Sequence, residues 1–593
     1  MKAPLLAWLG RWGCTAAALA LAAAAQGCSV QAFDEQAAAS SVVNSCSTQA
    51  ECGPDAQCRS GMCVAALGQL TDVIVEAVPP ATAFYGAGDS FLVPVDGVQI
   101  ADFARDLDLP QYANVQGRVS VDFGQSSTCV ASYDAADKSL GVHVQITRSE
   151  AAWGLPSATY EANSQLAAGG WEFETRVPSG SYDVYVSPLS DCVSEFPPVL
   201  VRGLSFQGPG DVPYALNVAK PSELQGTVKI DDPALLAGWS VSLLDPSQGQ
   251  VISTVHTWAA GQATDFTLKY HRVDGGEAPL VRVEPPDGIV APSILWDLSV
   301  LDLDGNGQIG LDLTSLRSLS PVRVKAQVVD GDASPGKIVG VKGASVRLRS
   351  LTLNYLSGLS ARFDTTVTAD EQGQVKVDLL PGRYQVVVFP PDESNLAMTT
   401  DEWVVADEPA EQAGRTVEVT TKAVMDGTVL DPLSGNPLVN TSVTATPSAA
   451  TRTSYLERSL TPPPATPRPG SGFTDGTGSF ALTVDSGSFD LAVQPRADSA
   501  LPWLVRSRLK IPNGGLGTMT VSFPVPVSGV LRDPKGNPVQ QALLRVYAPL
   551  GPSGATVPAP SLDAPGVQGV LQVAEARTDE NGQFRILLPA TTH

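Results

Sequence analysis

The chain has 593 residues, too many for one hydrophobic core, so several domains are expected from length alone. An apolar fraction of 43% with only 17% charged residues, 54 Gly and 47 Pro suits turn-rich β structure and excludes general disorder. A formal charge of -23, with no cluster of Lys and Arg, excludes a nucleic-acid partner, because phosphate binding needs concentrated positive charge.

In chain order, Lys2 and Arg11 supply a positive start, and the apolar run from Cys14 to Ala25 is too short to span a bilayer. Residues 1–27 therefore read as an export signal and stay out of the fold. The tetrapeptide Ala25, Gln26, Gly27, Cys28 resembles the lipobox of bacterial lipoproteins, with alanine where leucine is usual. That resemblance implies a lipid on Cys28, attachment to a membrane through it and, with Ser29 next, the outer membrane or cell surface. Cleavage near Ala25 would instead give a secreted protein. Export removes one of eight cysteines and lipid occupies a second. The other six, Cys46, Cys52, Cys58, Cys63, Cys129 and Cys192, form an even set for disulfides in an oxidising compartment.

Residues 28–45 are small and polar and read as a tether. Residues 46–66 hold four cysteines in too little chain for a core, so two disulfides are expected, and three connectivities are open. A zinc site is the rival, but zinc ligands come in closer pairs. The spacing resembles small cysteine-rich modules of the dickkopf and EGF-like kinds, and on that resemblance Cys46 is expected with Cys58, and Cys52 with Cys63. Residues 67–113 carry two strand-like runs and a closing strand, a partial or divergent β unit.

Then a pattern returns about every hundred residues, the mark of tandem domains. An alternating strand opens at Gly117, Gly226, Ala326, Gly427 and Gly529. A small-residue element follows, clearest at GASVRL and GNPL. Next comes a turn, ADEQGQV, TDGTGSF or TDENGQF, and then a Gly-aromatic turn such as LLPGRYQVVV. In the first of these turns, Gly373, Gly478 and Gly582 fit positive φ, and Asp370, Asp475 and Asp579 can bond the turn backbone. The order strand, turn, strand, turn, with no helical period, predicts mostly-β units at 114–218, 219–317, 318–422, 423–524 and 525–593. The last stops at LLPATTH, before the run its siblings continue with. An empty strand position is expected there, either because a longer chain is cut or because a partner strand completes the sheet.

Together these elements resemble the carboxypeptidase regulatory-like family. The resemblance implies a tandem array of Ig-like or prealbumin-like β-sandwiches, each of about seven strands, behind the disulfide-rich module. The chemistry-bearing motifs are few. Asp302, Asp304 and Asn306 stand at calcium-loop positions one, three and five, making calcium a possible ligand. Position twelve, however, is Leu313, and the stretch also fits a glycine turn before a closing strand. Its literal G-x-G-x-x-G lacks the following helix of a dinucleotide site. His143, His256, His271 and His593 fall singly, and no nucleophile motif occurs, so no cofactor and no catalysis are expected.

Recognition is instead expected on the variable inserts, where rigid frames commonly carry binding loops. Trp153, Tyr160, Tyr355 and Tyr455 are the candidate contact aromatics, toward a glycan or a surface protein. TPPPATPRPG from Thr461 should form a stiff exposed spur. The expected function is a non-enzymatic, lipid-anchored surface protein whose sandwiches form a stalk for adhesion or recognition. Polysaccharide binding, or service as a noncatalytic subunit of an envelope enzyme or export complex, is the alternative. Cys129 and Cys192 belong to one unit, and peptide mapping of exported protein should recover them as one linked peptide. Their removal should cost roughly 3–5 kcal/mol.

Overall fold

The structure is a computed structural model that describes residues 44–591. Left out are 53, 55, 82–84, 86–88, 99–102, 122–131, 149–158, 190–191, 194, 273–276, 303–304, 319, 335–336, 357–359, 409–410, 449–454, 461–462, 513–514 and 552–568. Alternation of apolar and polar residues gives each strand one inward face. In Gly180–Pro188 the side chains of Tyr182, Val184 and Val186 are buried, while Ser181, Asp183, Tyr185 and Ser187 are only half-buried.

The unit after Ser320 shows the shared plan. Its seven main strands are Val322–Asp330, Ser345–Leu353, Asp364–Thr368, Gln374–Leu379, Gly382–Phe389, Thr399–Val405 and Glu411–Val419. One sheet orders the third, second, fifth and sixth strands; the other orders the fourth, first and seventh. The first and seventh pair in parallel, and every other neighbour is antiparallel. The same plan recurs in the sandwiches built from residues 112–218, 222–313 and 423–521. The chain is mostly β, a set of tandem sandwiches behind a small disulfide-bonded module.

The fifth sandwich departs from the sequence reading. Its first four strands are Pro524–Arg532, Leu543–Leu550, Gly569–Arg577 and Gln583–Pro589; its fifth and sixth are Asp72–Val78 and Phe91–Asp96. The seventh position is taken by Phe103–Ala104 and Leu107–Asp108, parallel to Pro524–Arg532. Residues 67–113 and 525–593, expected as two separate defective units, are complementary parts of one. The empty position is filled by the chain's own N-terminal strands. The reason is edge chemistry: without Asp72–Val78, one edge of Leu543–Leu550 would carry unpaired amides and carbonyls. The two parts share one core, with Val73, Val75 and Phe91 packed among Val527, Leu544, Val546, Phe584 and Ile586. The chain leaves this sandwich at Tyr112 and re-enters it at Pro524, so the succession of sandwiches closes on itself.

The recurring glycine of the opening strand has a steric role. It lies directly opposite an aromatic of the fourth strand: Gly117 faces Phe173, Gly226 faces Phe266, Gly427 faces Phe480 and Gly529 faces Phe584. A Cβ at Gly226 would sit 2.1 Å from the Phe266 ring, and one at Gly117 would sit 2.2 Å from that of Phe173. In the one unit that opens with alanine, Ala326, the opposite residue is Val375. The smaller side chain opposite leaves room for the alanine methyl.

The D-x-x-G turns close as their chemistry dictates. Asp370 accepts from the amides of Gln372 and Gln374, and Asp475 and Asp579 repeat the arrangement. Gly373, Gly478 and Gly582 take φ of 72, 73 and 71°.

Gly226→Ala should therefore destabilise its sandwich by about 1–3 kcal/mol through overpacking. Combining it with Phe266→Val should recover part of that loss in a double-mutant cycle read by denaturant unfolding. Strict additivity of the two would show that the pair is not coupled.

Candidate functional site

The variable inserts were expected to project as recognition loops, but the described parts of two of them tie sandwiches together, while Thr159–Asn163 pairs within its own sandwich. Ser360–Arg362 adds an antiparallel strand to Ser293–Asp297 of the preceding sandwich. The insert of the 423–521 sandwich forms a short helix, Tyr455–Leu460, whose Tyr455 amide donates to the Ser247 carbonyl at 3.1 Å. Its ring lies against Gly249, where a Cβ would come within 2.4 Å of Tyr455, and it packs beside the buried Leu244, Leu280 and Leu295. Arg362 donates to the carbonyls of Arg458 and Ser459, both at 2.6 Å. Elsewhere Tyr185 donates to the Val251 carbonyl at 2.8 Å, and burial pushes its phenol up to about 12, keeping it a neutral donor. Arg202 pairs with the nearly buried Asp245 in the same interface.

The proline-rich stretch is also tied down, because Arg468 anchors it. Its guanidinium holds Asp485 through two contacts of 2.8 and 2.9 Å and donates to the carbonyls of Pro390 and Leu396 in the neighbouring sandwich. The Met398 amide donates to the same carboxylate at 2.7 Å. Asp485 is fully buried. Burial alone would raise its pKa, but the hydrogen bonds from Arg468 and the Met398 amide outweigh it and leave the group below its ordinary value. Residues 463–469 are thus anchored at Arg468 rather than free-standing, although Pro464, Thr466 and Pro469 are exposed.

The candidate aromatics divide accordingly. Trp153 lies outside the described residues. Tyr160 sits on Thr159–Asn163, partly buried, and packs against the core edge-on to Tyr182 at 6.2 Å, so it is not a free contact. Tyr455 is an internal docking residue, as described above. Tyr355 is half exposed, at φ 65°, and donates its hydroxyl to Asp407, whose acceptance raises the phenol's pKa. The inward turn of Tyr160 follows from strand alternation, which the insert's composition concealed.

At the possible calcium loop, Asp302 accepts from the Gly307 amide at 3.1 Å, and Asn306 accepts from Gln308 at 2.8 Å. Both side chains serve the turn that leads into the closing strand Gln308–Asp312; Asp304 lies outside the described residues, and Leu313 is buried. Among the described residues, Cys46, Cys52 and Cys58 are the one group of three with metal-binding side chains in reach of one another. Those sulfurs are committed to disulfides, Cys46 with Cys58 and Cys52 with Cys63. Cys192 is buried and disulfide-bonded, whereas Cys129 and Cys28 lie outside the described residues.

The described histidines have structural settings. His143 shares a hydrogen bond with Asn163 at 2.8 Å, and His256 packs on Trp258 at 5.1 Å, its pKa lowered by burial. Sequence reasoning missed a polar cleft on the 112–218 sandwich, about 780 Å³, lined by Gln116, Arg118, Asn163, Gln165, Glu172 and Glu174. Alternating outward polar residues carried a signal for it, but the same alternation occurs in every unit.

No family model matches the chain, and no curated protein matches it. Solved structures that resemble it include a streptococcal ancillary pilin, at 12% identity over 51% of this chain and 99% of that one, with a TM-score of 0.22. The shaft pilin SpaA of Lactobacillus rhamnosus GG aligns at 12% identity over 34% of this chain and 98% of that one, TM-score 0.17. The major pilin subunit BcpA of Bacillus cereus aligns at 11% identity, over 52% and 99%, TM-score 0.13.

Arg468→Ala would strand a buried carboxylate and should cost about 3–5 kcal/mol in the docking of the two sandwiches. Because the Asp485 pKa is depressed in the folded chain, its contribution is full above the ordinary carboxylate value and is lost as pH falls through the folded one. Corrected for the intrinsic exchange rate, protection of the Met398 and Arg468 amides should fall on acidification in the native protein. In the variant the Met398 amide should show low protection at every pH.

Proposed function

We propose that the protein is an exported, non-enzymatic surface protein, held to a membrane by lipid on Cys28, whose sandwiches form a stiff standing frame for adhesion or recognition. The observation that carries this reading is the use of polar chemistry. Buried charges such as Asp485, Asp245 and Glu76 serve contacts between sandwiches or between chain segments, and turn acids serve turns. Two disulfides in a module without a large core fit an oxidising compartment. Among the described residues no helix is long and apolar enough to cross a membrane. The stalk this reading implies is a closed succession of sandwiches, stiffened where inserts cross between them.

Labelled fatty acid should enter the wild-type chain and not Cys28→Ser, and the variant should appear in the medium. Equal labelling of both would remove the anchor from the proposal.

A glycan is the ligand class favoured by the polar cleft, whose amides, acids and Arg118 offer the mixed donors and acceptors that sugar hydroxyls require. On a glycan array, Gln165→Ala with Glu174→Ala should reduce binding at least about tenfold, the worth of one or two hydrogen bonds. Tyr355→Ala, on another sandwich, should leave cleft binding unchanged.

A further inference from the structure

The sandwich assembled from the two ends of the described chain has a seam with no covalent crossing. Strands five to seven lie before Tyr112 and strands one to four after Val521, and everything between them belongs to other sandwiches. The seam is also specific. Glu76, 1% exposed, receives the Ser90 hydroxyl at 2.9 Å from its own side and the Tyr547 hydroxyl at 2.9 Å from the other, with Arg545 at 3.4 Å. Val75 lies opposite Val546 in register. The junctions are short. Only residues 109–111 separate Leu107–Asp108 from Tyr112–Val121, and only 521–523 separate Thr518–Thr520 from Pro524–Arg532.

We propose that this seam is an interaction surface for a second copy of the chain: the strands of residues 67–112 of one copy complete the four-strand half of another. All seam contacts involve side chains and backbone edges that a second copy carries identically, so exchange preserves the core and the buried Glu76 cluster. Short connections between exchangeable segments are the arrangement in which such swapping occurs. Closure within one chain is intramolecular and competes with exchange, so exchange is favoured where copies are crowded. Reciprocal exchange gives a dimer, and one-way exchange a head-to-tail chain of copies.

The test uses two full-length variants, Glu76→Arg and Arg545→Glu. Each alone places like charges across its own seam, whereas each complements the other. Separately they should run at the mass of one chain with unprotected amides in 72–78 and 543–547 and normal protection in 423–484. Mixed, they should form a species of twice the mass, with protection restored at the seam. A mixture that stays at the mass of one chain overturns the proposal, as does a single variant that dimerises as well as the mixture. If either variant alone keeps its seam protected, Val75→Cys and Val546→Cys in separate full-length copies decide the matter. Co-refolding under oxidation should give an intermolecular disulfide between positions 75 and 546, and its absence by peptide mapping overturns the proposal.

Discussion

A β-strand buried on one face and unpaired along one edge is an unstable object in water, and the whole arrangement of this chain turns on how one such edge is covered. Leu543–Leu550 has a neighbour on one side from its own hairpin and needs another on the far side. It finds Asp72–Val78, more than four hundred residues away in sequence. Hydrophobic burial and backbone pairing act together there, since the same strands that complete the hydrogen-bonded ladder also deliver Val73, Val75 and Phe91 to the core. The buried Glu76 makes the seam selective, because its carboxyl takes hydrogen bonds from Tyr547 and Arg545 across the seam as well as from Ser90 on its own side.

Closure changes what the remaining surface can do. In this chain, inserts from the 322–421 and 423–521 sandwiches cross to neighbours, as an added strand at Ser360–Arg362 and as the helix carrying Tyr455. Several independent contacts of this kind make neighbouring sandwiches mutually restraining, and the Arg468–Asp485 pair adds a charged one through the Pro390 and Leu396 carbonyls and the Met398 amide. Recognition surfaces are then left to features that no neighbour covers, such as the polar cleft beside Arg118 and the exposed ring of Tyr355.

Much of the repeat was legible because its elements obey local rules. The positive φ of Gly373, Gly478 and Gly582, and the turn bonds of the aspartates before them, are properties of four or five consecutive residues. The opening glycine was visible as a recurring letter, but its reason lay in the aromatic facing it across the sheet, some forty to fifty-five positions on. Of the candidate contact residues, Tyr160 and Tyr455 were misplaced for a common cause: an aromatic in a variable insert looks the same in sequence whether it faces solvent or a neighbouring sandwich.

By itself the sequence determined the mostly-β class of the fold, the order of the repeated elements within a unit, the chemistry of their turns and the presence of a cysteine-rich module, all set by short-range periodicity and spacing. Only the tertiary structure decided that the first and last units are one, that inserts serve as ties, and that buried acids hold sandwiches or segments together. These depend on pairing between distant segments, where many edges and apolar faces are chemically alike. The choice among them is made by the burial and hydrogen bonding of the whole chain rather than by any local run of residues.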